Sequence, residues 1–191
     1  GEVLSWDGSD YDWVAQSSGG LTNNSDQNGS LGVGTSALTS ETSGTLNTAF
    51  GEDALEDTTT GNKNVCVGHK AANANTTGFE NSVLGYGALI SNTTGYRSVA
   101  IGSGTLEDST TANNNTGVGH ECLKNCTGSE NTAIGSEAGD SLTSGSNNII
   151  IGNGADASSQ TVSNELTLGN SSINSLRIPG LQSNASDGQV L

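Results

Sequence analysis

The chain has no methionine, one proline (Pro179), three cysteines, and only two Trp, three Tyr and two Phe among 191 residues. Basic charge is equally scarce: five Lys and Arg face 20 Asp and Glu, a formal net charge of −15. No apolar run reaches the roughly eighteen residues that a membrane-spanning helix requires, and no basic-then-apolar leader is present. Each shortage removes a class. With hydrophobic residues at 31%, one compact core of ordinary density is out of reach. The negative surface repels phosphate backbones and anionic headgroups, so neither nucleic acid nor membrane is expected as a partner. Cys66, Cys122 and Cys126 cannot all pair within one chain and show no CxxC spacing, which argues against a disulfide framework and against zinc. A start at Gly1 without any Met suggests a piece excised from something longer.

What the chain does contain is glycine, 28 residues of it, together with Asn, Ser and Thr. Poverty in apolar residues by itself favours disorder; a strict internal period overturns that expectation. The period is there. Gly34, Gly51, Gly68, Gly85, Gly102, Gly119, Gly135 and Gly152 recur every 17 residues, with one step of 16 between Gly119 and Gly135. Around these marker glycines one phrase returns, as in Asn47-Thr-Ala-Phe-Gly51, Asn64-Val-Cys-Val-Gly68 and Asn131-Thr-Ala-Ile-Gly135. An apolar residue precedes every marker: Val33, Phe50, Val67, Leu84, Ile101, Val118, Ile134 and Ile151, read here as the core column.

A second apolar beat follows three or four residues after the marker, in Ala37-Leu38, Ala54-Leu55, Ala71-Ala72, Ala88-Leu89, Thr105-Leu106 and Cys122-Leu123. Thr pairs (59-60, 76-77, 93-94, 110-111) and a further glycine (Gly44, Gly61, Gly78, Gly95, Gly145) complete the unit. Glycines recur too often for helical repeats, and short β-branched stretches between turn residues read as strands of about four residues. Seventeen residues at about 3.3 Å each span roughly 56 Å, enough for one coil with its turns. The fold class is therefore all-β, a parallel solenoid of about eight 17-residue coils stacked in register. Marker glycines suit turns with positive φ or a close approach of neighbouring coils. Asn47, Asn64, Asn81, Asn115, Asn131 and Asn148 form a column in which stacked amides hydrogen-bond up and down; the alternative is that Asn merely tolerates a turn there. The interior of such a coil is thin, so association of several chains, a homotrimer foremost, would bury a second apolar face.

Three segments follow: a β-hairpin connector over 1–20, the solenoid over 30–158, and a β cap with a connector over 159–191. In the first, Val3-Leu4-Ser5-Trp6, a turn at Asp7-Gly8 and Tyr11-Asp12-Trp13-Val14 read as a hairpin. Trp6 and Trp13 are candidate interface aromatics, with glycan stacking as the alternative. In the last, Leu166, Leu168, Ile173, Leu176 and Ile178 read as short strands closed by Pro179-Gly180. The ending Gly188-Gln189-Val190-Leu191 echoes Gly1-Glu2-Val3-Leu4, which suggests a 187-residue unit repeated in tandem.

Arg97-Ser98-Val99-Ala100-Ile101-Gly102 and Asn131-Thr-Ala-Ile-Gly135 resemble the head repeats of trimeric autotransporter adhesins, and related phrases occur in bacteriophage tail fibres. The resemblance spans roughly residues 30 to 155. It implies a left-handed parallel β-roll, three chains side by side or intertwined, and a role in surface attachment. A period longer than the usual head repeat, and no heptad pattern within these residues, turn the likeness toward a trimeric fibre more than an autotransporter.

Hidden chemistry finds little support. His69 and His120 each follow a marker, three coils apart, where threefold symmetry would gather copies around an ion; packed or exposed histidines are the plainer reading. Glu52, Asp53, Glu56, Asp57, Glu107 and Asp108 are acidic pairs of the kind that cleave glycosides, but they sit on repeat positions with little apolar surrounding to raise a pKa. Calcium would suit such an edge, yet no Asp-x-Asp-x-Asp-Gly loop appears, so no cofactor is expected. Cys122 and Cys126 flank the shortened coil, where a disulfide would leave Cys66 as a small core residue. Asn75, Asn92 and Asn170 begin Asn-x-Ser/Thr sequons. The expected function is a structural or adhesive segment of an extracellular trimeric fibre, on a virion tail or a cell surface, binding itself and a glycan or protein receptor. The rivals are an ice-binding solenoid, from the Thr columns, and last a glycan-degrading fibre enzyme.

Overall fold

A computed structural model describes residues 29–175, together with the backbone of two short strands before them. Those two, β1 (Ser5–Trp6) and β2 (Tyr11–Asp12), pair antiparallel with Ser5 opposite Asp12. The side chains of Trp6 and Trp13, and residues 176–191 with the proposed end of the tandem unit, lie outside the described residues.

The rest is a β-solenoid. Nine strands of three residues each form one parallel sheet in strict sequence order: β3 (Leu31–Val33), β4 (Thr48–Phe50), β5 (Val65–Val67), β6 (Ser82–Leu84), β7 (Val99–Ile101), β8 (Thr116–Val118), β9 (Thr132–Ile134), β10 (Ile149–Ile151) and β11 (Leu166–Leu168). Each residue pairs with its counterpart one coil away, as Ala49 with Cys66 and Cys66 with Val83. No helix occurs among the described residues. Away from the strands the coils remain in register. Leu55 N donates to Ala71 O at 3.1 Å, Thr59 N to Thr76 O at 2.9 Å and Lys63 N to Thr45 O at 2.9 Å. Coil thus binds coil all the way round, which satisfies the backbone without a thick core.

The left-handed backbone region makes the corners. Marker glycines from Gly34 to Gly152 have φ between +130° and +147°, and a Cβ on Gly51 would run into the carbonyl group of Gly68. Two and four residues later the chain is left-handed again, at Asp53 and Leu55 in one coil and at Lys70 and Ala72 in the next. A third such position immediately precedes the Asn column, at Lys63, Glu80, Arg97 and Asn114. The column asparagines themselves are not left-handed, so turn tolerance is not what places Asn there.

The core column needs correction. Phe50, Leu84, Ile101, Ile134 and Ile151 are exposed, and Val33, Val67 and Val118 only partly covered. The strand interior is instead filled by Gly32, Ala49, Cys66, Val83, Ala100, Gly117, Ala133 and Ile150. Side chains alternate along a strand. Once the Asn column faces inward, two residues later must face inward as well, and the residue before the glycine faces out. The second beat lies inside: Ala37, Leu38, Ala54, Leu55, Ala88, Leu89, Leu106 and Leu123 are all buried.

The solenoid also runs past 158. Gly169 follows Gly152 by 17 residues, and β11 pairs in register with β10, Thr167 opposite Ile150. The boundary drawn at 158/159 therefore falls inside a coil. Glu165 and Thr167 stand there where other coils carry Asn and a small apolar residue, which hid the phrase.

Candidate interaction surface

Two polar columns organise the interior. In the Asn column, Asn64 Nδ2 donates to Asn47 Oδ1 at 3.1 Å and to Gly78 O at 2.9 Å, while Asn64 N donates to the same Asn47 Oδ1 at 2.9 Å. Asn81 and Asn148 repeat the pattern on Asn64 and Asn131. Asn115 receives its backbone bond from Asn131 at 2.8 Å and reaches Gly128 O at 2.8 Å. Each amide therefore ties its coil to the next, both through the following column residue and through the carbonyl of the glycine three residues before it. A second buried column was not foreseen: Thr58, Asn75, Asn92, Ser109, Cys126 and Leu142. Asn92 Nδ2 donates to Asn75 Oδ1 at 2.7 Å. Asn75 and Asn92 are thus interior residues, not exposed glycan acceptors; Asn170 remains on the surface. The signal available was their spacing of 17.

This second column also settles the Thr pairs. On a strand adjacent members would face opposite ways, but Thr59 and Thr60, like Thr76 and Thr77, both lie at the surface. The segment is a turn rather than a strand, and the inward position is the residue before the pair.

The cysteines are three free, buried thiols. Cys122 Sγ points to Ala133 O at 3.3 Å, while Cys126 Sγ accepts from Asn131 Nδ2 at 3.4 Å. The two occupy different interior columns, so the shortened coil holds no disulfide. Burial pushes the Cys66 thiol far up and the Cys122 thiol up to about 11.

Outside, the sheet presents an apolar face. Its eighteen outward strand positions carry no charged residue: fourteen are Leu, Val, Ile or Phe, and Thr48, Ser82, Thr116 and Thr132 supply the rest. Phe50 is 54% exposed and Leu84 51%. Nine strands about 4.8 Å apart give a strip roughly 43 Å long and about 10 Å wide.

Stacked rings border this strip midway along. On the entering edge Phe79 and Tyr96 stack with centroids 4.6 Å apart, and the Arg97 guanidinium lies over both. Arg97 Nε also bonds Glu80 Oε2 at 2.8 Å, and Lys63 reaches Glu80 Oε1 at 3.4 Å. These two cations hold the Glu80 carboxyl below its ordinary range. On the leaving edge His69 stacks on Tyr86, with Glu52 4.0 Å from Nε2. His69 therefore has partners within its own chain.

The acidic residues are spread around the coil exterior. Glu56 Oε2 accepts from Asn73 at 2.9 Å and Glu107 lies 3.6 Å from Lys124. Among the described residues no group of three or more His, Cys, Asp and Glu is placed to hold a metal ion. Comparison with family models, with curated proteins and with solved structures returns no match for this chain.

Proposed function

We propose that this chain is a rod-like structural and adhesive segment of an extracellular fibre, in which three copies lie side by side along the solenoid axis. The observation that carries this reading is the uncharged apolar strip. A chain of net charge −15 keeps every charge off one long face, which is where like-charged copies meet at least electrostatic cost. The largest apolar patch on a monomer is typically about 300–600 Å² and often functional, and this strip, with a footprint of roughly 430 Å², is of that kind. A pairwise contact through the strip alone falls short of the roughly 800 Å² per partner of a stable interface. A three-chain arrangement adds the flanks to each contact, which favours the trimer. The likeness of the Val-Ala-Ile-Gly phrases to trimeric fibre repeats supports the same reading. No catalytic role is proposed.

Light scattering on the purified chain tests this. A mass of three chains is expected, and Leu84→Lys with Ile101→Lys, both outward residues, reduces it to one with the circular dichroism unchanged. A wild-type chain that is monomeric across the micromolar range sinks the proposal.

A second reading, an ice-binding solenoid, draws on the Thr column. The hydroxyls of Thr42, Thr59, Thr76, Thr93, Thr127 and Thr143 each donate to a carbonyl one coil on, at 2.9–3.1 Å. That bond holds six side chains in one orientation. Thermal hysteresis in a freezing assay would favour it; none would dismiss it.

A further inference from the structure

The residues that follow the marker glycines form a column along the leaving edge: Glu52, His69, Tyr86, Ser103, His120 and Ser136. His69 and Tyr86 stack at 5.2 Å with planes 9° from parallel. Ring planes at this edge therefore lie across the solenoid axis and follow the inter-coil spacing of about 4.8 Å. The next coil interrupts the pile, placing Ser103 and Gly104 where a third ring would continue it. The coil after that brings His120. Tyr86 is 64% exposed: one ring face rests on His69 and the other looks along the axis over Ser103. Two coil steps, about 9.6 Å, separate the level of Tyr86 from that of His120. That leaves room for one six-membered ring at ordinary stacking distance from Tyr86.

Polar groups lie beside this gap. Gly104 N donates to Tyr86 O at 3.0 Å, and Gly104 itself is buried, covered by neighbouring side chains, while Ser103 is half-buried. The atoms nearest the point where its Cβ would stand are Glu107 Oε2 at 3.3 Å and Glu121 Cγ at 3.4 Å. Both carboxylates meet Lys124, at 3.6 Å and 2.8 Å, and all three side chains remain about one-third exposed. The Ser103–Gly104 rung thus lies between Tyr86, one coil before it, and Glu121, one coil after it, whose backbone N donates to Ser103 O at 2.9 Å.

We propose that this vacancy binds a single hexopyranose ring of a neutral glycan. The apolar C–H face of the sugar covers Tyr86, and its hydroxyls reach Glu107, Glu121, Lys124 and Ser103. Two carboxylates in the wall and the net charge of −15 exclude acidic sugars. Every element comes from one chain, so the site does not depend on the fibre reading.

The test uses the methyl glycosides of glucose, galactose, mannose and N-acetylglucosamine, followed by saturation-transfer NMR and by titration. At least one gives saturable transfer with the wild-type chain. Ser103→Tyr, which continues the ring pile into the vacancy, and Tyr86→Ala, which removes the platform, each weaken binding by about tenfold or more. Circular dichroism and light-scattering mass stay as in the wild type. If Ser103→Tyr disturbs the coil, Tyr86→Leu decides instead, because it keeps apolar bulk and removes the flat ring. No saturable transfer from any of the four glycosides overturns the assignment, as does binding that survives loss of the Tyr86 ring. A monomeric mass with glycoside binding intact would strike the fibre reading and leave this site standing.

Discussion

Several side chains occupy backbone conformations that they ordinarily avoid. Leu38, Leu55, Leu89, Leu106 and Leu123 have φ between +51° and +55°, a region that costs L-residues roughly 1–2 kcal/mol each. Full burial of a Leu side chain, about 1.5–3 kcal/mol, offsets that cost, so these leucines persist. Exposed residues in the same region have no such compensation. Glu130, at φ +63°, is surface-exposed. Glu130→Gly is therefore expected to stabilise the fold by about 1 kcal/mol, read as a higher urea midpoint with an unchanged slope; a lower midpoint would show that the side chain is needed.

The thiols give a second prediction at this scale. Cys66 and Cys122 keep their protons in the folded chain at pH values where the unfolded chain has lost them, since burial raises both above their ordinary 9.0. Their contribution is complete below about pH 9 and is lost as the pH rises beyond it, by about 1.4 kcal/mol per pH unit for each thiol. Ala49, Ala100 and Ala133 stand at the place of Cys66 in other coils. Cys66→Ala should therefore lie within about 1 kcal/mol of wild type at pH 7 and exceed it by about 2 kcal/mol at pH 10.5. Urea titrations at both pH values check this, and an unchanged difference between them refutes it.

At the scale of the coil, two facing columns share a constant space. Where the position four after the marker is Leu, the next inward strand residue is small: Leu38 with Ala49, Leu55 with Cys66, Leu106 with Gly117, Leu123 with Ala133. Where the former shrinks to Ala72 or Gly139, the latter grows to Val83 or Ile150. The contact is direct, since a Cβ on Gly139 would stand 3.0 Å from Ile150 Cδ1. Val83→Ala should cost about 2 kcal/mol through the cavity it leaves, and Ala72→Leu alone about 1–3 kcal/mol through overpacking. The two together should return to within about 1 kcal/mol of wild type. A thermal-melt double-mutant cycle measures the coupling, and additive losses would disprove it. The exchange is present in the sequence, but it becomes legible only once the residue two before the glycine, not the one before it, is known to face inward. The last coil was missed for a related reason. Its 17-residue step to Gly169 is intact, whereas its inward residues, Glu165 and Thr167, are only half-buried at the end of the stack and are free to depart from the pattern.

For the whole molecule, nearest-neighbour stacking makes the coil the unit of stability. Removing residues 69–85, one full period from marker to marker, should leave the circular dichroism per residue unchanged and lower the melting temperature by a few degrees. Removing residues 69–76, about half a period, should cost far more, because the residues of the joined coil then no longer meet their counterparts one coil away. If both deletions behave alike, in-register stacking is not what holds the rod together.

The amino-acid sequence by itself determined the period, the parallel in-register stack and the columns. These follow from like residues recurring every 17 positions, and a backbone that repeats its glycines repeats its turns. Which side of each strand faces inward was decided only in three dimensions, where the buried Asn amides find acceptors in the neighbouring coils and set the phase of the alternation. The tertiary structure likewise decided that Asn75 and Asn92 are interior, that Cys122 and Cys126 are held in separate columns, and that Tyr86 stacks on His69. Such relations join residues on different sides or levels of the coil, and spacing along the chain cannot say which way a side chain points.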